Sequence, residues 1–161
     1  MYLIPTKTTG RLFILPRPRG GDWLDRDIAE WKRNKFDLVI SALTEDEERE
    51  LELTEEFNLV ERHGLAYQSC PIPDRDVPLS PSQFERMTES WANSLRNGQT
   101  IGIHCRQGIG RSGMIAIGIL QKLGETTANA MRIASAARGI AVPETAVQRE
   151  WITRMSDLVP V

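Results

Sequence analysis

Short, nearly unbroken apolar runs take turns along this chain with longer stretches whose apolar positions recur at helical spacing. Arg11–Leu15 (RLFIL), Phe36–Leu43 (FDLVISAL), Leu65–Ile72 (LAYQSCPI) and Thr100–His104 (TIGIH) read as strands. The β-branched centre of Phe36–Leu43 suits a parallel strand buried on both faces. A helix with Trp23, Leu24, Ile28 and Trp31 on one side runs from Asp22, a candidate cap, to about Asn34. Thr44-x-x-Glu47 is a capping box, and the poor periodicity after it predicts two short helices split near Leu53–Thr54, with Gly64 as the stop. Ser80-Pro81-Ser82-Gln83 combines a cap, proline at the first helical position and Gln at the third. Phe84, Met87, Trp91 and Leu95 then line one face of the helix, which Asn97-Gly98 ends. Met114–Leu123, apolar on nearly all sides, predicts a buried helix, followed by helices over Thr127–Arg138 and Glu144–Asp157. Strand and helix alternate with no repeat or linker, which predicts one α/β domain over residues 1–161, its mostly parallel sheet of four to five strands flanked by helices.

Charge refines this picture. The net charge is −2, yet residues 44–56 hold eight of the 22 acidic residues and only Arg49 among the bases. The rest carries 19 basic against 14 acidic residues, a mildly basic body with one acidic element that reads as a solvated face or a docking surface. Such a balance suits an anionic substrate without pointing to nucleic acid. No run of about 18 apolar residues predicts a membrane span, and MYLIPTKTTG lacks the apolar core of a secretory leader. Two cysteines in 161 residues argue for a reducing compartment, so a cytoplasmic, monomeric protein is expected.

The chemistry concentrates in Thr100–Gly113 (TIGIHCRQGIGRSG). A strand, a glycine loop and the start of an apolar helix present unpaired backbone N–H groups and the positive end of a helix dipole to an anion. Gly108 and Gly110 let the backbone curl where a Cβ would clash, so the N–H groups of Arg106, Gln107, Gly108, Ile109, Gly110 and Arg111 form a candidate phosphate cradle. Cys105 opens the loop facing those N–H groups, a setting that favours thiolate over thiol. Arg111, six positions on, brings a planar fork that can grip two phosphoryl oxygens. A thiolate facing a clamped phosphate is the equipment for phosphoryl transfer through a phosphocysteine.

The string His104-Cys105-x-x-Gly108-x-Gly110-Arg111-Ser112 resembles the signature loop of the cysteine-dependent protein tyrosine and dual-specificity phosphatases. Pro71-Ile72-Pro73-Asp74 followed by Val77-Pro78, 31 residues ahead of Cys105 at Asp74, resembles the general-acid loop of the same enzymes, with Ile72 where many members have Trp. Pro16–Leu24 resembles small bacterial phosphatases of this group. The resemblance implies a phosphotyrosine phosphatase-like fold and a phosphatase that needs no metal or other cofactor. Its substrate would be a phosphorylated protein or peptide, with dual specificity implied by the lack of inserted loops. It also implies Asp74 as the general acid, Ser112 as a hydrogen-bond donor to the Cys105 sulfur, and Gln148, six positions after Val142, as a residue that positions water.

The residues leave alternatives open beside these roles. Asp76 is a rival acid, Ser112 can cap a helix, and Thr145-x-x-Gln148 is itself a capping box. His104 is expected to point away from the loop into the core as a brace. Arg75 and Arg106 could recognise groups beyond the phosphate. Phosphoinositides, an RNA 5′-triphosphate, and phosphate binding without turnover are the competing functions. If the strands of Cys70 and Cys105 were neighbours, oxidation could join the two; otherwise Cys70 is a buried strand cysteine.

Overall fold

In the computed structural model, which describes residues 1–157, strands β1 (Tyr2–Ile4), β2 (Arg11–Ile14), β3 (Leu38–Ser41), β4 (Ala66–Ser69) and β5 (Thr100–His104) form one sheet in the order β1-β2-β5-β3-β4. β2, β5, β3 and β4 run parallel, and β1 pairs antiparallel with β2, Tyr2 opposite Ile14. β5 is therefore central, buried at all five positions between β2 and β3. Its C-terminal end is the loop-bearing end, where open parallel sheets place their ligands.

Alternation along β5 divides the interior. Ile101 and Ile103 face one layer with Cys105, packed against α4 (Pro81–Arg96), α5 (Arg111–Lys122), α6 (Thr127–Arg138) and α7 (Ala146–Asp157). Leu15, Phe36 and Val39 fill the opposite layer against α1 (Leu24–Arg33) and α3 (Glu56–Arg62). Trp91 of α4 and Ile115, Ile117 and Ile119 of α5 are fully buried. Each such side chain contributes about 1.5–3 kcal/mol by leaving water. Among the described residues no helix is long and apolar enough to cross a membrane.

Several expected elements have different ends. β1 was not expected: three residues ahead of Pro5 are too short for a periodicity to register. Asp22 does not cap α1; residues 21–23 form a single 3-10 turn and the helix starts at Leu24 with no side-chain cap. The acidic stretch divides as its pattern implies, into α2 (Glu45–Glu50) and α3, and the Thr44–Glu47 capping box is formed. Ser80 caps α4 by accepting from the Gln83 N–H at 3.3 Å. Of Leu65–Ile72 only Ala66–Ser69 is strand, because it lies at the sheet edge with its side chains largely in solvent.

The edge position also decides between the two readings of Cys70, against a bridge to Cys105 and for a buried cysteine. Cys70 N–H donates to Ser41 and Ala42 N–H donates to His104, so β3 lies between the two strand ends. Two strand spacings amount to about 9–10 Å, beyond the roughly 7 Å that a disulfide spans without backbone movement. Both thiols are free and buried, and burial pushes that of Cys70 up to about 11.

Candidate active site

The loop from Cys105 to Gly110 leaves β5 and turns directly into α5, whose first residue is Arg111. Gly108 makes the turn at φ +69°, a conformation that side chains rarely adopt. Its N–H donates to Cys105 Sγ at 3.2 Å. Gly110 serves closeness instead: a Cβ there would sit 2.8 Å from Gln148 Oε1. Cys105 is 2% exposed, at the floor of a cleft lined also by Asp74, Arg106, Gln107, Arg111 and Gln148. The Ile109 side chain turns away and packs on the core.

Arg111 is buried and fully engaged. One terminal nitrogen donates to Glu47 Oε2 at 2.6 Å and to the Ile72 carbonyl at 3.0 Å. The other donates to Glu47 Oε1 at 2.9 Å and Asp74 Oδ1 at 3.1 Å. Burial opposes the guanidinium charge, but the Glu47 hydrogen bonds and the nearby Cys105, Glu47 and Asp74 charges outweigh it, and Arg111 stays above its ordinary value. Burial likewise pushes Glu47 up, and the Arg111 fork with the Thr44 donors more than reverses this, holding Glu47 below the usual carboxylate range.

The acid loop closes from the other side. Asp74 keeps its carboxylate on Arg111 with most of its side chain in solvent. Asp76 instead folds back to accept from its neighbour's Val77 N–H at 2.8 Å, and it does not line the cleft. Gln148 forms the capping box and also reaches the acid loop. It completes the capping box with Thr145, accepting from Thr145 N–H at 3.2 Å, while its Nε2 donates to the Asp76 carbonyl at 3.1 Å beside Gly110. The start of α7 and the acid loop are thereby tied together over the cleft.

His104 points into the opposite layer, stacked on Trp31 at 6.0 Å, with Nε2 2.6 Å from Glu56 Oε1. Ser112 is the departure. Its hydroxyl is fully buried without a hydrogen-bond partner, so it neither reaches Cys105 nor caps α5, whose N-cap is Gly110. As the second residue of the helix it lies past the position from which a side chain folds back on the first turn.

Three supporting side chains were not anticipated as parts of the site. Glu47 and Glu56 come from the acidic stretch read as a solvated or docking face, yet both are buried. The Thr44 capping box foretold Glu47's local bond but not its partner 64 residues away. Arg138, the last residue of α6, donates to the Gly108 carbonyl at 2.7 Å and the Gln107 carbonyl at 3.3 Å while its guanidinium lies 4.1 Å from the Tyr2 ring centroid. No local pattern marked it.

The arrangement is a buried sulfur that accepts from the Gly108 amide, a fixed guanidinium and an exposed carboxylate on the far side. The sequence model described as the dual specificity phosphatase catalytic domain matches residues 23–154. Rat cyclin-dependent kinase inhibitor 3 is 27% identical over 136 residues, which are 83% of this chain and 64% of that protein, so the chain spans about two thirds of this relative's length. Kinase associated phosphatase, solved with its catalytic-site cysteine substituted by serine, superposes with a TM-score of 0.86 at 20% identity, over 94% of this chain and 88% of that one. Tk-PTP in its active form gives 0.77 at 24% identity over 98% of both chains.

Proposed function

This chain belongs to the dual specificity phosphatase catalytic-domain family, and from that premise we propose that it is a metal-independent phosphatase acting on phosphotyrosine, and on phosphoserine and phosphothreonine, through a phosphocysteine. The observation that carries the reading is the placement of Cys105 and Asp74 in one cleft, with Arg111 fixed beside both. The Cys105 thiolate attacks phosphorus in line, and the bond to the leaving oxygen breaks as Asp74 gives that oxygen its proton. The loop N–H groups and Arg111 hold the equatorial oxygens, where charge stabilisation does most for such a transfer. A phosphoryl oxygen takes the Arg111 donor that Asp74 now occupies, which frees the Asp74 carboxyl to meet the leaving group.

In the second step Asp74, now a carboxylate, takes a proton from water as that water attacks phosphorus and the Cys105 thiolate departs. Gln148, held over the loop by Thr145 and Asp76, orients this water. Arg106, Gln107, Gly108, Ile109 and Gly110 contribute their amides, and His104 braces the loop through Glu56.

The test is hydrolysis of para-nitrophenyl phosphate in excess EDTA. Wild type is expected to turn over, Cys105→Ser to lose activity entirely, and Asp74→Asn to fall by about 10²-fold or more in kcat. Undiminished activity in Cys105→Ser, or an absolute need for added metal, defeats the reading. Clean protein that binds phosphate without turnover would make the chain a phosphate-binding domain. Dual specificity is lost if phosphotyrosine peptides react far faster than phosphoserine peptides.

A further inference from the structure

The four arginines around the loop are held in two different ways. Arg111 is 3% exposed and its partner Glu47 10%, and Arg138 is spent on loop carbonyls. Those two are fixed. Arg106 and Arg75 stand at the rim of the same cleft, and each hydrogen-bonds an exposed or half-buried carboxylate, Arg106 also lying 3.7 Å from Glu47. Arg106 donates to Glu50 at 2.7 and 3.2 Å, with Glu50 63% exposed at the end of α2. Arg75, 64% exposed, donates to Glu144 at 2.9 Å from the acid loop. Ion pairs this exposed contribute little, because water screens them and both side chains lose freedom in making them. An arriving anion can therefore take either arginine at small cost, whereas it cannot take Arg111 from Glu47.

The geometry points to a substrate-recognition role for this pair: Arg75 and Arg106 select phosphopeptides with acidic residues on either side of the phosphorylated residue, the peptide carboxylates replacing Glu144 and Glu50. The assignment rests on the phosphatase reading above and names its substrate class. Glu50 and Glu144 are then stand-ins within the free protein, marking where substrate carboxylates sit. They belong to separate elements, the end of α2 and the segment before α7, and both arginines line the same cleft. An extended peptide crossing the mouth presents its preceding and following residues to both sides at once. Neither arginine needs to move to a new backbone position, since both already reach a carboxylate from the rim.

The test compares kcat/KM at low ionic strength for two phosphotyrosine peptides that differ only in having Glu or Gln immediately before and after the phosphotyrosine. Wild type is expected to favour the Glu-flanked peptide by about threefold, equivalent to about 0.7 kcal/mol shared between two exposed pairs. In Arg75→Gln/Arg106→Gln the ratio should fall to near one; taking it within each variant cancels any change in turnover. Glu50→Gln/Glu144→Gln should enlarge the ratio through a lower KM. Equal rates on the two peptides in wild type, or a preference that survives loss of both arginines, overturns the assignment. Soluble inositol phosphates turned over faster than the Glu-flanked peptide, with the same dependence on both arginines, would overturn it in favour of a phosphoinositide headgroup. Para-nitrophenyl phosphate carries no flanking residues. Its hydrolysis alongside equal peptide rates removes only this inference, and its failure to react removes the phosphatase reading as well.

Discussion

The phosphate loop and the acidic stretch meet where Arg111 pairs with Glu47 and Arg106 with Glu50 and Glu47, but they supply different kinds of group. In residues 105–110 the proposed working parts are backbone amides, and two glycines permit the curl: Gly108 by its positive φ, Gly110 by its closeness to Gln148. In residues 44–56 the working parts are two carboxylates among eight of like charge. Glu47 and Glu56 turn inward to Arg111 and His104, while Glu45 and Asp46 stay in water against Arg49. Burial with a partner, not residue type, separates the two sets. Glu47 and Glu48 make the contrast between adjacent residues. Arg111 and Thr44 hold Glu47 low despite its burial, whereas burial and then the Glu56 charge push Glu48 up.

Replacing Glu47 breaks the comparison hardest. Glu47→Ala leaves Arg111 buried with Asp74 as its remaining carboxylate, and breaking a buried pair by removing one partner costs about 3 kcal/mol or more. Urea unfolding should show that loss as a lower midpoint, and saturating phosphate should recover part of it by giving Arg111 a new anion. The effect carries a pH signature. A folded-state pKa held below the ordinary 4.5 contributes stability that is present above that value and lost as pH falls through the folded one. The stability gap between wild type and Glu47→Gln should therefore be widest above about pH 5 and narrow under acid. A gap independent of pH would place the Glu47 contribution in packing rather than charge.

Glu56→Ala comes next. It strands His104 in the interior, for about 2 kcal/mol, and should lower kcat by letting the base of the loop shift. Full activity with that stability loss would make His104–Glu56 a support of the fold alone. The smallest effects sharpen the contrast by sign. Glu48→Gln should raise the melting temperature slightly at pH 7, because its raised pKa means the charged form is disfavoured on folding. This gain should disappear as pH falls below the ordinary carboxylate value. Glu45→Gln and Asp46→Asn should stay within about 0.5 kcal/mol of wild type. A large loss in either exposed variant would contradict the division by burial.

What could be read from the chain follows the range of the interaction that fixes it. The order of strands and helices, the Thr44 and Ser80 caps and the glycine loop depend on neighbours in sequence, and they stand where the pattern put them. Arg111–Glu47 and Arg138–Gly108 span 64 and 30 residues, and nothing local to Glu47 or Arg138 names the partner. The acidic run misled for that reason, since charge density in a sequence says nothing of which two side chains face inward. Cys70 could be read two ways until strand order was known: Leu65–Ile72 precedes the acid loop directly, yet β3 inserts between it and β5, which leaves the buried cysteine. Ser112 shows the converse limit, a side chain of the resembled motif that makes no hydrogen bond at all here.

The account stands on a covalent intermediate at Cys105, and trapping it is the most direct measurement. Protein mixed with excess para-nitrophenyl phosphate, quenched during turnover by rapid denaturation and digested, should yield a phosphoryl group on the peptide containing Cys105. None should form on any peptide of Cys105→Ser. Turnover with no phosphorylated peptide in wild type, or with the phosphoryl group on another residue, would contradict the account at its centre.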